Sequence, residues 1–477
     1  MKRLFFIFLT FAFCSVTSKS QTLNEHEKAI VDGIVNTIRT KPVDAKKEAE
    51  VIIQKNKRNA NLIFEILTSF ITAGRSDEAD ELSDALYDAI KEGPGRSRIY
   101  VIRGDILASQ KNVEGACEQY NRAIYIAPKE ELGYNRYAET LLKTSPEKAI
   151  SKLDELIKNR PDLESKVSKR IAHLYYTADR FDEAADAYDR VDPAAMEEDD
   201  IIEQAMAEWF NRDFARSLAA AEAGHAKNPR KIEFNRLMMF NNTDLKNYSE
   251  ALKAADNLFN KSDKQDFSFL DYTYYGYALM GIEDYEKAIV QFNKALELND
   301  GRSDVMAKLS EAYEEMGDFK KALELYNQFM NSLQPDQRTL EVTFRLGRLY
   351  YTHASHDGIS AAEKKRTLHS ADSVFTIVAK LAPNSHMGNF WRARTNSLLD
   401  PESEQGLAKP YYEAVADLLE EKNDPARYGS TLMECYRYLG YYYLLKKNKT
   451  NSIYYWQQVL QLDPENSIAK RAMDFLQ

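Results

Sequence analysis

Cysteine is nearly missing from this chain, with three in 477 residues, so no disulfide framework holds the fold together. Proline and glycine are sparse as well, at 13 and 18, which excludes collagen-like and Pro/Gly-rich low-complexity organisation. No run of 18 apolar residues follows the first twenty positions, so nothing there spans a bilayer as a helix. Cations are outnumbered, 64 Lys and Arg against 74 Asp and Glu, for a net charge of -10. A surface of that sign repels phosphate backbones, which makes nucleic acid a poor partner. Catalytic signatures are missing too. No His-Glu-x-x-His and no Gly-x-Ser-x-Gly is present, and EGPGRSR around Gly93 and Gly95 lacks the Lys-Ser/Thr of a phosphate loop. The expectation is a protein that is not an enzyme and has no cofactor.

The first residues, MKRLFFIFLTFAFCSVTSKSQ, have a basic start, an apolar run from Leu4 to about Val16, and small residues at Ser18 and Ser20. This pattern predicts a secretory signal at residues 1–20, cleaved before Gln21, and hence an exported protein of the periplasm or cell envelope. Phe13 stands before Cys14 where lipid attachment wants a small residue, so a lipoprotein is not expected. Cleavage removes Lys2, Arg3 and Lys19 and no acid, taking the net charge to -13. Only Cys117 and Cys435 then remain.

What the chain has in abundance is periodicity. Small residues recur at Ala79, Ala116, Ala149, Ala184, Ser217, Ala251, Ala288 and Ala322, in steps of 33 to 37. In YYGYALMGIEDYEKAIVQFNKAL, Gly276 and Ala288 stand twelve apart, and Ser310 and Ala322 repeat that spacing 34 residues later. Self-similarity of this length predicts stacked helical hairpins. Small residues at the crossing let antiparallel helices approach to the roughly 8 to 10 Å of tight packing.

One repeat reads Tyr100, Gly104, Leu107, Ala116, Tyr120, Ala123, Pro128, and this order of aromatic, Gly, Leu, Ala, aromatic, Ala and Pro resembles the tetratricopeptide repeat family. The resemblance extends over nearly all of the chain after the leader. It implies an all-α fold, a right-handed α-solenoid of about twelve antiparallel pairs. Residues 21–335 would hold about nine pairs. Residues 339–477 would hold the remainder, with an insertion at 353–370 and a capping helix at 465–476. Cys117 and Cys435, about nine repeats apart, would then lie too far from each other to bridge.

In that family the first helix of each pair lines a concave groove. Carrying its groove positions over places there Lys169, His173 and Tyr176, then Met206, Trp209 and Phe210, then Phe240, Tyr277 and Met280, and finally Phe344, Arg348 and Tyr351. Arg, Met and aromatic residues dominate protein-binding hot spots. The expected function is therefore a non-enzymatic protein-protein interaction scaffold holding a partner protein or extended peptide in the groove. A helical carbohydrate-binding protein is the alternative, because rings also stack on sugars. Acidic positions at Asp304, Glu311, Glu314 and Glu315 would favour a basic segment in the ninth pair. His353 and His356, in the insertion with His369, are weak metal-ligand candidates with no fourth ligand in spacing, and the metal expectation is none.

Overall fold

The computed structural model of the protein describes residues 23–90, 93–142, 144–299 and 301–476; the leader expected at 1–20 lies outside the described residues. Within them the regular elements are helices, and they pair in sequence order. A first compact unit ends at Pro229. It contains α1 (Glu25–Thr40) with α2 (Pro42–Lys55), and α3 (Ala60–Thr72) with the broken pair α4 (Ser76–Leu82) and α5 (Asp84–Ala89). Next come α6 (Ser97–Ser109) with α7 (Val113–Ile126) and α8 (Glu131–Leu141) with α9 (Pro146–Asn159). The unit closes with α10 (Glu164–Thr177), α11 (Phe181–Tyr188), α12 (Glu198–Phe210) and α13 (Phe214–Lys227).

The second unit begins at Arg230 and pairs α14 (Ile232–Asp244) with α15 (Tyr248–Lys261) and α16 (Phe269–Gly281) with α17 (Tyr285–Leu298). It continues through α18 (Ser303–Glu315) with α19 (Phe319–Ser332), α20 (Leu340–Ser355) with α21 (Ala361–Leu381), and α22 (Met387–Leu399) with α23 (Lys409–Lys422). The last pair is α24 (Pro425–Leu445) with α25 (Lys449–Leu462), and α26 (Ser467–Leu476) packs on α25. Each unit is thus an all-α stack of six hairpins, twelve in the described residues, and the second carries the capping helix.

Hairpin turns follow one rule. In eight pairs the residue closing the first helix takes a left-handed conformation, from Gly74 and Lys111 to Gly317 and Lys447. Six of these eight are not glycine. The next residue donates its N–H to a carbonyl five positions back, as in Asn112 to Leu107 and Asp284 to Leu279, which satisfies the carbonyls a helix end leaves open. In five of those eight that same residue is Asn or Asp and caps the second helix: Asn112, Asp213, Asp284, Asp318 and Asn448 each accept from the backbone N–H three positions on. One short polar side chain both ends the turn and starts the helix.

The small positions sit at the helix crossings, and the structure shows what each one meets. A Cβ added at Gly276 would lie 2.4 Å from Phe292 Cε1. The same clash arises at Gly104 with Tyr120, at Gly347 with Phe375 and at Gly440 with Trp456. So the first small slot is a seat for the aromatic ring four residues beyond the second. Where serine occupies a slot, its hydroxyl donates across the crossing to the carbonyl of the other: Ser217 to Ala205 at 2.6 Å, Ser310 to Ala322 at 2.7 Å and Ser452 to Gly440 at 2.9 Å. The twelve-residue spacing is the crossing itself.

Two sequence boundaries take a different form. The break around 334–338 is a single 3-10 turn, Pro335–Gln337, inside the second unit, where α19 and α20 pack on each other; the compact units divide instead at Pro229 and Arg230. The insertion at 353–370 is mostly helix. Ser360 caps α21 by accepting from Glu363 N–H, and Thr367 and Leu368 are buried, so both helices of the pair are lengthened and only residues 356–360 turn between them.

Candidate partner-binding faces of the first helices

Within each unit successive first helices meet through polar rungs between residues 30 to 40 apart. In the first unit Arg136 Nε lies 3.2 Å from Asp105 Oδ2 and Arg170 donates to Glu139 at 2.6 Å. Three rungs in register then join α10 to α12: Lys169 to Asp200 at 2.8 Å, His173 Nδ1 to Glu203 at 2.8 Å, and the Tyr176 hydroxyl to Met206 Sδ at 3.4 Å. Those are groove residues expected from the sequence, brought together but engaged with one another. Met206 is buried. Phe210 stacks on Phe181 at 4.3 Å and so serves the packing of α11 on α12, and Trp209 meets Phe210 edge-on at 5.2 Å.

Buried carboxyls of the first helices give the first unit a pH response. Burial pushes Asp105 up to about 6 against the pull of Arg136, and burial pushes Glu208 up to about 7 although Arg216 Nη2 lies 2.6 Å away. His173 is raised by its hydrogen bond to Glu203. A carboxyl raised by folding favours the native state below its unfolded value and loses that advantage as pH climbs through the folded one. A raised histidine adds stability that is complete below its unfolded value and is lost as pH climbs through the folded one. All three act in one direction, so stability is expected to fall between pH 5 and pH 8. Asp105 supplies about 3 kcal/mol over its window. Urea titrations at the two pH values check this: Asp105→Asn should flatten the difference, and a wild type more stable at pH 8 would contradict it.

In the second unit the fate of the expected residues divides. Phe240 is buried, stacked on Tyr274 at 4.2 Å, and is not available to a partner. Tyr277 lies against Phe292 at 5.7 Å and Met280 packs on the same core. The acidic positions of α18 are largely spent internally, Asp304 on Arg302 and Glu311 and Glu314 on Arg345. The basic segment expected there would find that charge already neutralised.

Farther along, α20, α22 and α24 form a different surface. Trp391 is only 8% exposed, stacked on Phe375 at 5.7 Å and met edge-on by Tyr351 at 5.2 Å and Phe344 at 6.0 Å. The Arg348 guanidinium rests over its ring at 4.5 Å, and that of Arg394 at 5.1 Å. Arg394 also forks onto Glu434 at 2.8 and 2.5 Å, and Glu434 accepts from Tyr412 at 3.0 Å. One turn and two turns beyond Glu434 on the same face of α24 stand Arg437 and Tyr441, both exposed. Arg348 is exposed and has no anionic partner among the described residues. Trp391 was absent from the expected groove because it falls one position past Phe390 in the repeat register; its rarity, one of three tryptophans, was the available signal.

The histidines of the extended hairpin have separate partners. His353 is buried, with Nε2 3.4 Å from Glu363, while His356 sits against the Phe319 ring at 5.1 Å. Among the described residues no group of three or more His, Cys, Asp or Glu is placed to hold a metal. Cys117 and Cys435 are both free thiols; Cys435 is buried, and burial pushes it up.

With this geometry in hand, comparison with known proteins is direct. Family models of the tetratricopeptide repeat match residues 67–131 and 279–338. The glycine-aromatic seat at Gly104, inside the first of these segments, recurs outside both at Gly276, Gly347 and Gly440. The chain carries tetratricopeptide repeats. Solved structures similar to it include the C-terminal part of a tetratricopeptide-repeat protein from Cytophaga hutchinsonii, 27% identical over 57% of this chain and 98% of that one, with a TM-score of 0.47. A tetratricopeptide repeat protein from Parabacteroides merdae is 16% identical over 53% and 98% of the two chains, at 0.32. MamA from Desulfovibrio magneticus is 17% identical over 35% and 94%, also at 0.32. At these scores the architecture rests on the chain's own helix packing. No curated protein sequence matches the tetratricopeptide-repeat chain. Its repeats make it a protein-protein interaction scaffold in the general sense that such repeats bind proteins or peptides. No helix among its described residues is long and apolar enough to cross a membrane.

Proposed function

We propose that this tetratricopeptide-repeat protein is a non-catalytic scaffold of the bacterial envelope that holds a partner protein or extended peptide on the α20, α22 and α24 face. The observation that carries the reading is the pair of guanidiniums, Arg348 and Arg394, resting on one buried tryptophan. An arginine held over an indole has given up rotamer freedom before a partner arrives, so less is lost on binding. Arg348, Arg437 and Tyr441 add exposed residues of the types that dominate hot spots. The envelope location is supported by the leader pattern of residues 1–20 and is checked by sequencing the N-terminus of the mature protein, expected at Gln21.

The triple variant Arg348→Ala, Arg437→Ala, Tyr441→Ala removes this surface while sparing the core. Crosslinked pulldown from envelope extract should lose its partner by at least tenfold, about 1.4 kcal/mol, at unchanged helicity. Undiminished recovery would reject this face as the binding site. Changing Trp209 and Phe210 instead would test folding, because Phe210 belongs to the packing against Phe181. The carbohydrate alternative is separated by a glycan array read with the same triple variant.

A further inference from the structure

Second helices such as α17 and α19 are 14 residues long, whereas α21 has 21. Its extra turns carry the stretch AAEKKRTLHS, residues 361–370. The two acids of α21 are engaged toward neighbouring first helices: Glu363 with His353 at 3.4 Å and Asp372 with Arg392 at 3.0 Å. The cations are not. Lys365, Arg366 and His369 are exposed, and their side chains have no ion pair or hydrogen bond among the described residues. They rim an open cavity of about 650 Å³ whose apolar floor includes Leu346, Tyr350 and Val374.

An unneutralised Lys-Arg-His cluster is conspicuous on a chain of net charge -10, beside Arg345 and Arg392, which are paired with carboxylates. Its placement beside an apolar hollow pairs two kinds of complementarity, charge at the rim and apolar contact below. We infer that this groove docks an acidic amphipathic segment of a partner protein, with carboxylates on Lys365 and Arg366 and apolar side chains over Leu346, Tyr350 and Val374. The groove lies between α20 and α21 and uses none of the residues removed in the triple variant, so the two surfaces can be lost separately.

The probe is a short fluorescein-labelled peptide of glutamates with leucine at every third or fourth position, titrated by anisotropy against the full mature chain. Wild type should bind, and binding should weaken as salt rises through physiological ionic strength. Lys365→Glu with Arg366→Glu should weaken it at least tenfold, while the same reversal at exposed Lys57 and Arg58 in the first unit should leave it within twofold. Circular dichroism of both variants confirms that helicity is kept. The inference is overturned if wild type does not bind, if the α21 reversal changes nothing, or if both reversals weaken binding equally, since bulk charge would then explain it. Capture of phosphatidylglycerol vesicles in place of the peptide, lost in the α21 variant, would also overturn it in favour of a membrane contact. Retention of peptide binding by the Arg348, Arg437, Tyr441 variant is expected, and its loss would reassign the peptide to the first-helix face.

Discussion

Truncating Asp271 to alanine is expected to cost the second unit about 3 to 5 kcal/mol. Its carboxylate is fully buried and takes both bonds of the Arg236 fork, at 2.6 and 2.9 Å. It also accepts the Ser268 backbone N–H at 2.7 Å, closing the capping box that starts α16. Alanine leaves the guanidinium without its counter-charge in a site water scarcely reaches, and uncaps a helix in the same step. Two companions separate these losses. Asp271→Asn keeps an acceptor for Ser268 but removes the charge. Asp271→Ala with Arg236→Met removes the orphaned cation and should recover a large part of the loss. Urea unfolding of the three variants reads the difference, and a cost below about 1 kcal/mol for the single truncation would show that Arg236 finds solvent or another partner.

Gly276→Leu is expected to cost about 1 to 3 kcal/mol through overpacking. The Phe292 ring occupies the place of the missing side chain and is itself fully buried, so neither can yield without moving α16 off α17. A smaller residue at 292 should relieve the strain in part, so Gly276→Leu combined with Phe292→Val should lose less than the two single variants added together. Gly429 is the control. It lies in α24 with nothing within 4 Å of an added Cβ, and alanine there should raise stability by up to about 1 kcal/mol. A loss at Gly429 equal to that at Gly276 would mean that something other than the Phe292 ring sets the requirement for glycine, since helix propensity alone favours both replacements.

Much of this fold was legible because its rules are local. The period of small residues located the hairpins and their crossings. The insertion at 353–370 was placed by sequence but its helical form was not, because its register only becomes plain once Thr367 and Leu368 are seen to be buried. The candidate face was less legible. Position within a repeat named Phe344, Arg348 and Tyr351, which gather around Trp391, yet the same rule named Phe240, which is buried, and passed over Trp391 itself.

By itself the sequence determined the helical hairpins, their number and their crossing points, since each depends on residues within about twelve positions of one another. Which first-helix side chains remain for a partner was decided only by tertiary structure. Their availability depends on residues 30 to 40 positions away: Asp200 takes Lys169, Glu203 takes His173 and Glu434 takes Arg394, while Arg348 is left facing outward. A repeat pattern fixes where a side chain stands, but whether its charge is already answered depends on the chemistry of the next helix in the stack.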